Sequence, residues 1–276
     1  IPQDGQFTVL VDDQEIDLRI AISPVTWGEQ VVIRLLDKKG VSMEIEKMGM
    51  SGHALRDVLE GIKKPNGMIL TSGPTGSGKS TTLYALIQKI KSEAINIVTL
   101  EDPVEYKMDG INQIQVNVDA GLTFASGLRS ILRQDPDVVM VGEIRDADTA
   151  KTAIQASITG HLVLSSFHAN STSAAFSRMI DLIGVNPIFA SSIRLIVAQR
   201  LIRKLSKAKK ARPATEAERD YIKMVMEGVN AEILSDFDME NPLLYDPVVT
   251  AEDPFGYKGR TVIMEQLVVS DDIQAF

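Results

Sequence analysis

The chain is predicted to be an α/β protein: a larger domain on a mostly parallel central sheet, preceded by a small β-rich unit. From about residue 51 onward, short apolar runs alternate with helical patterns, the arrangement of parallel strands joined by crossover helices. Within that stretch GPTGSGKST, residues 73–81, fits G-x-x-x-x-G-K-[ST] at every fixed position. Ahead of it, residues 1 to about 40 alternate apolar and polar side chains, the period of half-buried antiparallel strands.

In the leading unit, residues 7–11, 15–23 and 30–36 read as strands. Ile16, Leu18, Ile20 and Ile22 alternate with Glu15, Asp17, Arg19 and Ala21, and Gly28 marks the turn before Val31-Val32-Ile33. Residues 37–51 lose clear periodicity, and 41–54 are expected to link this unit, 1–40, to a second domain, 55–276. There, strands are expected at 68–71, 97–100, 138–141 and 162–167. Leu83, Leu86, Ile87 and Ile90 form the stripe of a helix packed on a sheet. Helices are further expected at 148–159, at 187–205 with Asn186 as cap and Pro187 at its first position, and near 215–228, where Thr215 and Glu218 have capping-box spacing. Gly256-Tyr257-Lys258-Gly259-Arg260 reads as a turn into a last strand over 261–264.

Strand, glycine loop, helix is the context in which the motif binds a phosphate. Backbone N–H groups of Gly73, Pro74, Thr75, Gly76, Ser77 and Gly78 (proline excepted) turn inward, and the helix N-terminus adds partial positive charge. Lys79 is expected to reach the β- and γ-phosphates of ATP, and Ser80, beside Thr81, to take one position on Mg²⁺.

Bulk properties narrow the setting. The 276 residues exceed one typical domain, so a large core with a smaller unit fits. A net charge of −8 argues against non-specific nucleic-acid binding. The absence of cysteine excludes disulfides and thiolate metal sites. No apolar run approaches the ~20 residues of a membrane span. The opening Ile1-Pro2-Gln3 suggests a fragment of a longer chain, and the cytoplasm is the expected compartment.

Strand ends of a parallel sheet face the ligand. Past 97–100 comes Glu101-Asp102-Pro103-Val104-Glu105; past 138–141 come Gly142 and Glu143; past 162–167 comes His168. Three strands therefore bring Glu101, Glu143 and His168 to one edge. The usual strand-terminal Asp that helps hold Mg²⁺ is replaced here by Gly142, so the acid shifts to Glu143, acting directly or through water. His161 and His168 are seven apart, an odd spacing that sends them to opposite faces, so a shared metal is not expected. His161 reads as a core or interface residue and His53 as a surface one. Arg19 and Arg34 lie in the leading unit, and Arg129 and Arg133 share a helical face at i, i+4; from spacing alone, ion pairing and phosphate contact both remain open for them. The acid-free run with Arg200, Arg203, Lys204, Lys207, Lys209, Lys210 and Arg212 is compatible with a solvated helix end or an acidic or phospholipid partner.

Taken in order, these boxes resemble the hexameric ATPases of type II secretion and type IV pilus systems. The resemblance covers essentially the whole chain: Pro2-Gln3-Asp4-Gly5, Leu18-Arg19, Gly28 to Arg34, the phosphate loop, Leu100 to Glu105, Gly127 to Asp146 and Gly160 to His168. It implies a PAS-like domain on a RecA-like core, Mg²⁺-dependent ATP hydrolysis, and a homo-oligomer, a hexamer, with sites near subunit boundaries. It implies Glu101 as base or water-positioner, Glu143 at the magnesium and His168 near the γ-phosphate. Arg19 and Arg34 match positions that reach the γ-phosphate; Arg129 and Arg133 match positions presented to a neighbouring site; Arg260 joins the nucleotide-binding set. The Gly-Tyr-Lys-Gly-Arg ending resembles the assembly and secretion branch rather than the retraction branch. The partner so implied is an inner-membrane platform protein, with the ring at the cytoplasmic face of that membrane. Members of that branch usually carry two cysteine pairs binding zinc; here residues 206–258 have none, so no zinc is expected. A retraction-type motor and a nucleic-acid translocase on the same core are the competing expectations.

Overall fold

The computed structural model describes residues 1–11, 14–37, 44–184, 187–229, 234, 237–270 and 273. Two compact units emerge, one formed by Ile1–Arg200 with Val262–Phe276 and one by Leu201–Thr261.

The first unit begins with an antiparallel meander of β1 (Gln3–Val11), β2 (Gln14–Val25) and β3 (Gly28–Asp37). The register pairs Phe7 with Leu18 and Ile20 with Ile33, so the period of two collects apolar side chains on one face. Arg19 and Arg34 stand directly opposite each other on the other face.

The rest of this unit is built on a seven-stranded sheet. In chain order its elements are α1 (Gly52–Gly61), β4 (Gly67–Ser72), α2 (Lys79–Ile90), β5 (Ile97–Glu101), β6 (Asn112–Gln115), α3 (Phe124–Ile131), β7 (Val138–Val141), α4 (Ala147–Ile158), β8 (Leu162–Phe167), α5 (Thr172–Ile183), α6 (Pro187–Ser192) and β9 (Ile193–Leu205). With β12 (Tyr257–Val268), the strand order is β12-β9-β4-β8-β7-β5-β6. The pairs from β9 across to β6 are parallel. Every residue of β4, β5, β7 and β8 is buried, as helices on both faces require, which is why these strands read as continuous apolar runs. Leu70, Leu100, Leu128, Ile131, Val139 and Val163 are among the side chains closing the core.

The helix starts follow local chemistry. Thr123 and Ser126 form a reciprocal capping box on α3, and Asp146 and Ser171 cap α4 and α5. One expectation fails: the helix at 187–205 stops at Ser192, and Ile193–Leu205 is strand β9. Residues 195–198 pair in parallel with Ile69–Ser72 of β4, and all four are buried. An apolar run buried on both faces carries no period to separate strand from helix, and β-branched Ile193, Ile196 and Val197 suit the strand. Asn186, the expected cap, lies outside the described residues.

The Leu201–Thr261 unit carries β10 (Lys210–Pro213), α7 (Glu216–Val225) and β11 (Leu243–Asp246). The Thr215–Glu218 capping box forms as its spacing predicts. Arg212 binds both oxygens of Glu218 at 2.7 Å and both of Asp246 at 3.0–3.1 Å, joining helix and hairpin through one guanidinium. The basic run is therefore strand and loop rather than a helix end. Arg203 lies 4.1 Å over the Tyr257 ring and Lys209 4.2 Å over that of Tyr245.

Candidate functional site

Between β4 and α2 the glycine loop turns with Gly73, Gly76 and Gly78 at φ of 144°, 77° and 90°, a range open to glycine. At Gly73 the space is closed as well: a Cβ would lie 2.5 Å from the Gln199 carbonyl oxygen and from Ser77 Oγ. Strand β9 thus crowds the loop from one side, and Gln199 Nε2 donates to the Ser77 carbonyl at 2.8 Å. Lys79 Nζ donates to the carbonyls of Gly73 and Pro74 at 2.9 and 3.1 Å, which holds the ammonium over the loop. Burial pulls the Lys79 pKa below its ordinary value, Glu143 opposes that shift, and the Arg200 cation adds to it. Ser80 is exposed in the first turn of α2, and Thr81 is half-buried beside it.

Of the three side chains expected at the sheet edge, Glu143 and His168 are in contact, whereas Glu101 bonds elsewhere. Glu143, 15% exposed just past β7, takes His168 Nε2 at 3.1 Å on Oε2 and Arg145 on Oε1. Arg145 also lies 3.5 Å from Asp102, and its hydrogen bond to Glu143 raises its pKa. The Ile144 N–H donates to the Ser166 carbonyl, and Ser166 Oγ donates to the Gly142 carbonyl, which fixes Glu143 between two strands. Gly142 has a steric reason: a Cβ there would press to 3.3 Å on the Leu100 carbonyl and 3.4 Å on Glu101 Cα. His168 is held by its own carbonyl, which accepts from Arg178 at 2.7 Å. His161, at the other end of β8, bonds the Ala156 carbonyl at 3.0 Å through Nδ1, a structural contact.

The two glutamates of the acidic box differ sharply. Glu101 is 4% exposed, and its carboxylate accepts from the Tyr84 hydroxyl, from Thr99 Oγ1 at 2.6 Å and from Gln113 Nε2 at 3.1 Å. Glu105 is 34% exposed, with Oε1 3.7 Å from Arg19. Arg19 also donates to the Val104 carbonyl at 3.5 Å. Arg19 and Arg34 line a cleft of about 440 Å³ with Asp4, Pro103 and Gln115, and Arg19 is the one of the two seen bonded to the acidic box.

Arg129 in α3 and Arg133, two residues past its end rather than on the same helix, are both exposed and linked by a bond from Arg133 to the Arg129 carbonyl at 3.0 Å. Arg260 is exposed in β12 and belongs to the Leu201–Thr261 unit. His53 lies in α1 rather than in a linker, hydrogen-bonded to Arg56. Sequence reasoning did not single out Glu105, Arg145 or Tyr84. The first two stand within the quoted boxes, whereas nothing in the helical stripe of α2 marks Tyr84 as polar-bonded.

Among the described residues no three His, Cys, Asp or Glu side chains gather as a metal-ligand set. No helix among those residues is long and apolar enough to cross a membrane.

Comparison with known proteins places this geometry in context. Residues 1–276 match the family described as "Type II/IV secretion system protein". "Type II secretion system protein E" of Aeromonas hydrophila is 45% identical over 276 residues, covering 99% of this chain and 53% of the relative. "Type II secretion system ATPase E" of Vibrio cholerae is 45% identical over 277 residues, covering 99% of this chain and 52% of the relative. The chain thus spans about half the length of the curated relatives it matches. Among solved structures, the pilus retraction motor PilT with bound ADP is 30% identical, with a TM-score of 0.63 over 84% of this chain and 70% of its own. The Legionella pneumophila ATPase DotB superposes with a TM-score of 0.68 at 21% identity, over 100% of this chain and 64% of its own, a likeness of fold.

Proposed function

The chain belongs to the type II/IV secretion system protein family, and on that footing we propose that it hydrolyses ATP with Mg²⁺ as one subunit of a ring-forming motor. The observation that carries the reading is the meeting of the glycine loop, Glu143 with His168, and Glu105 with Arg19 around the carboxyl edge of one sheet.

The backbone of residues 73–78 cradles the β- and γ-phosphates, and Lys79 moves from the loop carbonyls onto them, since a phosphate is the stronger acceptor. Ser80 would hold Mg²⁺, with Glu143 acting directly or through water, and the metal would supply charge neutralisation to the phosphates. Glu105 orients the attacking water and accepts its proton. Glu101 fits that role less well, because it is 4% exposed and both its carboxylate oxygens already accept from protein donors. His168, oriented by its bond to Glu143, stands near the γ-phosphate. Arg19 and Arg34 spread charge from the attacking side, so movement of the meander relative to the loop is tied to the state of the nucleotide. Arg129 and Arg133, both exposed, serve a neighbouring subunit's site, and Arg260 is kept in the nucleotide-binding set.

The work is assigned to type II secretion or pilus assembly, with a homo-hexamer at the cytoplasmic face of the inner membrane acting on a membrane platform protein. About 45% identity to type II secretion proteins, against 30% to a retraction motor, supports that branch. The net charge of −8 weighs against a nucleic-acid translocase. The test is phosphate release by the purified oligomer with and without Mg²⁺, in wild type and Glu105→Gln. Loss of turnover with retained ATP binding supports the reading; wild-type turnover in Glu105→Gln removes it.

A further inference from the structure

Glu101 and Tyr84 form a buried acid–phenol pair that the hydrolytic roles above leave unused. Tyr84 is 1% exposed, one turn into the helix that opens with Lys79. Its hydroxyl donates to Glu101 Oε2 and accepts the Glu105 N–H at 3.2 Å. Thr99, two residues before Glu101 on the same face of β5, and Gln113 of β6 occupy the other carboxylate oxygen. Burial, and then the neighbouring Glu101 charge, push the Tyr84 pKa up, so the phenol keeps its proton and remains the donor in this pair.

The hydroxyl therefore has one fixed assignment on each side. A buried carboxylate with three donors has one low-energy orientation, and the phenol bound to it directs its lone pair at the backbone of residue 105. The same loop is tied further along: Gln113 Nε2 donates to the Tyr106 carbonyl at 2.9 Å, and the Tyr106 ring stands edge-on to Tyr84 at 5.7 Å. Tyr84 thereby joins helix α2 to the segment that carries Glu105.

We propose that Tyr84, oriented by Glu101, is a positioning residue that transmits the setting of the phosphate-loop helix to Glu105 and so aims the catalytic carboxylate. The proposal rests on Glu105 as the group that orients water. Binding energy gathered at Lys79 and the loop fixes α2; α2 carries Tyr84; Tyr84 fixes the backbone from which Glu105 projects. Misplacing a catalytic group by about 1 Å can cost ~10²-fold in rate while leaving substrate affinity intact.

The test compares Tyr84→Phe, Thr99→Val, Glu105→Gln and the double variant Tyr84→Phe/Glu105→Gln in the assembled full-length protein. Each is measured for kcat, KM, affinity for a non-hydrolysable ATP analogue and thermal midpoint. Tyr84→Phe is expected to lower kcat ~10–100-fold with KM and analogue affinity within about twofold. Thr99→Val, which loosens Glu101 without touching Tyr84, is expected to lower kcat several-fold in the same pattern. The double variant is expected to match Glu105→Gln, since a misdirected and an absent carboxylate are then the same defect. Wild-type kcat in both Tyr84→Phe and Thr99→Val, with Glu105→Gln inactive, overturns the positioning role. A parallel loss of analogue affinity also overturns it, because the pair then supports the fold rather than the aim. Full activity in Glu105→Gln overturns the reading of Glu105 itself.

Discussion

Replacing Gly73 by alanine separates two costs that the phosphate loop carries at different glycines. Its φ of +144° is a region that side chains rarely enter, a penalty of ~1–3 kcal/mol. The added Cβ also meets the Gln199 carbonyl and Ser77 Oγ at 2.5 Å each. One of those is backbone of β9, which cannot swing aside, so overpacking adds another ~1–3 kcal/mol. Gly76 has φ of +77° and nothing within 4 Å of the place a Cβ would take, so its alanine variant bears only the left-handed backbone cost of ~1–2 kcal/mol. With a urea slope of ~1–3 kcal/mol/M, Gly73→Ala should lower the unfolding midpoint by roughly 2 M, and Gly76→Ala by well under half as much. Equilibrium urea unfolding followed by circular dichroism reads both. Equal midpoints for the two variants would refute the claim that β9 braces the loop at Gly73.

Arg212→Ala should loosen the Leu201–Thr261 unit and raise its proteolysis rate, because it unpins Glu218 and Asp246 together. The Arg212 hydrogen bonds, then those of Thr215, hold the Glu218 pKa down at about 2 from the ordinary 4.5. That contribution is complete above pH 4.5 and disappears as pH falls toward 2; an acid titration of proteolysis should show a step in this window that Arg212→Ala lacks. Asp146→Ala removes the cap of α4, whose carboxylate takes the Thr149 N–H at 2.8 Å and its hydroxyl at 2.9 Å; a loss of ~1–2 kcal/mol in chemical denaturation is expected. Glu143→Gln keeps the shape but removes the charge proposed to act on Mg²⁺, so the half-saturating Mg²⁺ concentration should rise ~10-fold or more while affinity for metal-free nucleotide is unchanged, as titration of turnover against Mg²⁺ reads.

Much of the nucleotide edge was legible in the sequence because its logic is local. The loop, the buried strands at 67–72, 97–101, 138–141 and 162–167, and the acids past them are adjacent in the chain. Gly142 stood out as a gap in the acidic pattern, yet its cause, the Leu100 carbonyl of a neighbouring strand, is a contact that no spacing reveals. The same limit applies to the acidic box. Glu101 follows the apolar run directly and so reads as the acid at the strand end, but Thr99, Gln113 and Tyr84 enclose it, and Glu105 is left facing Arg19. Strands β6, β10 and β11 are four residues each and mostly exposed, too short for a period to register. Residues 193–205 defeat the pattern for the opposite reason: burial on both faces in their first half erases the alternation.

The central claim, that Glu105 turns a bound triphosphate over to water on this loop, is tested most directly by the identity of the bound nucleotide. Glu105→Gln protein incubated with ATP and Mg²⁺, separated from free nucleotide and denatured, should release ATP, whereas wild type under the same conditions releases ADP. Recovery of ADP from Glu105→Gln at the wild-type rate would contradict the account.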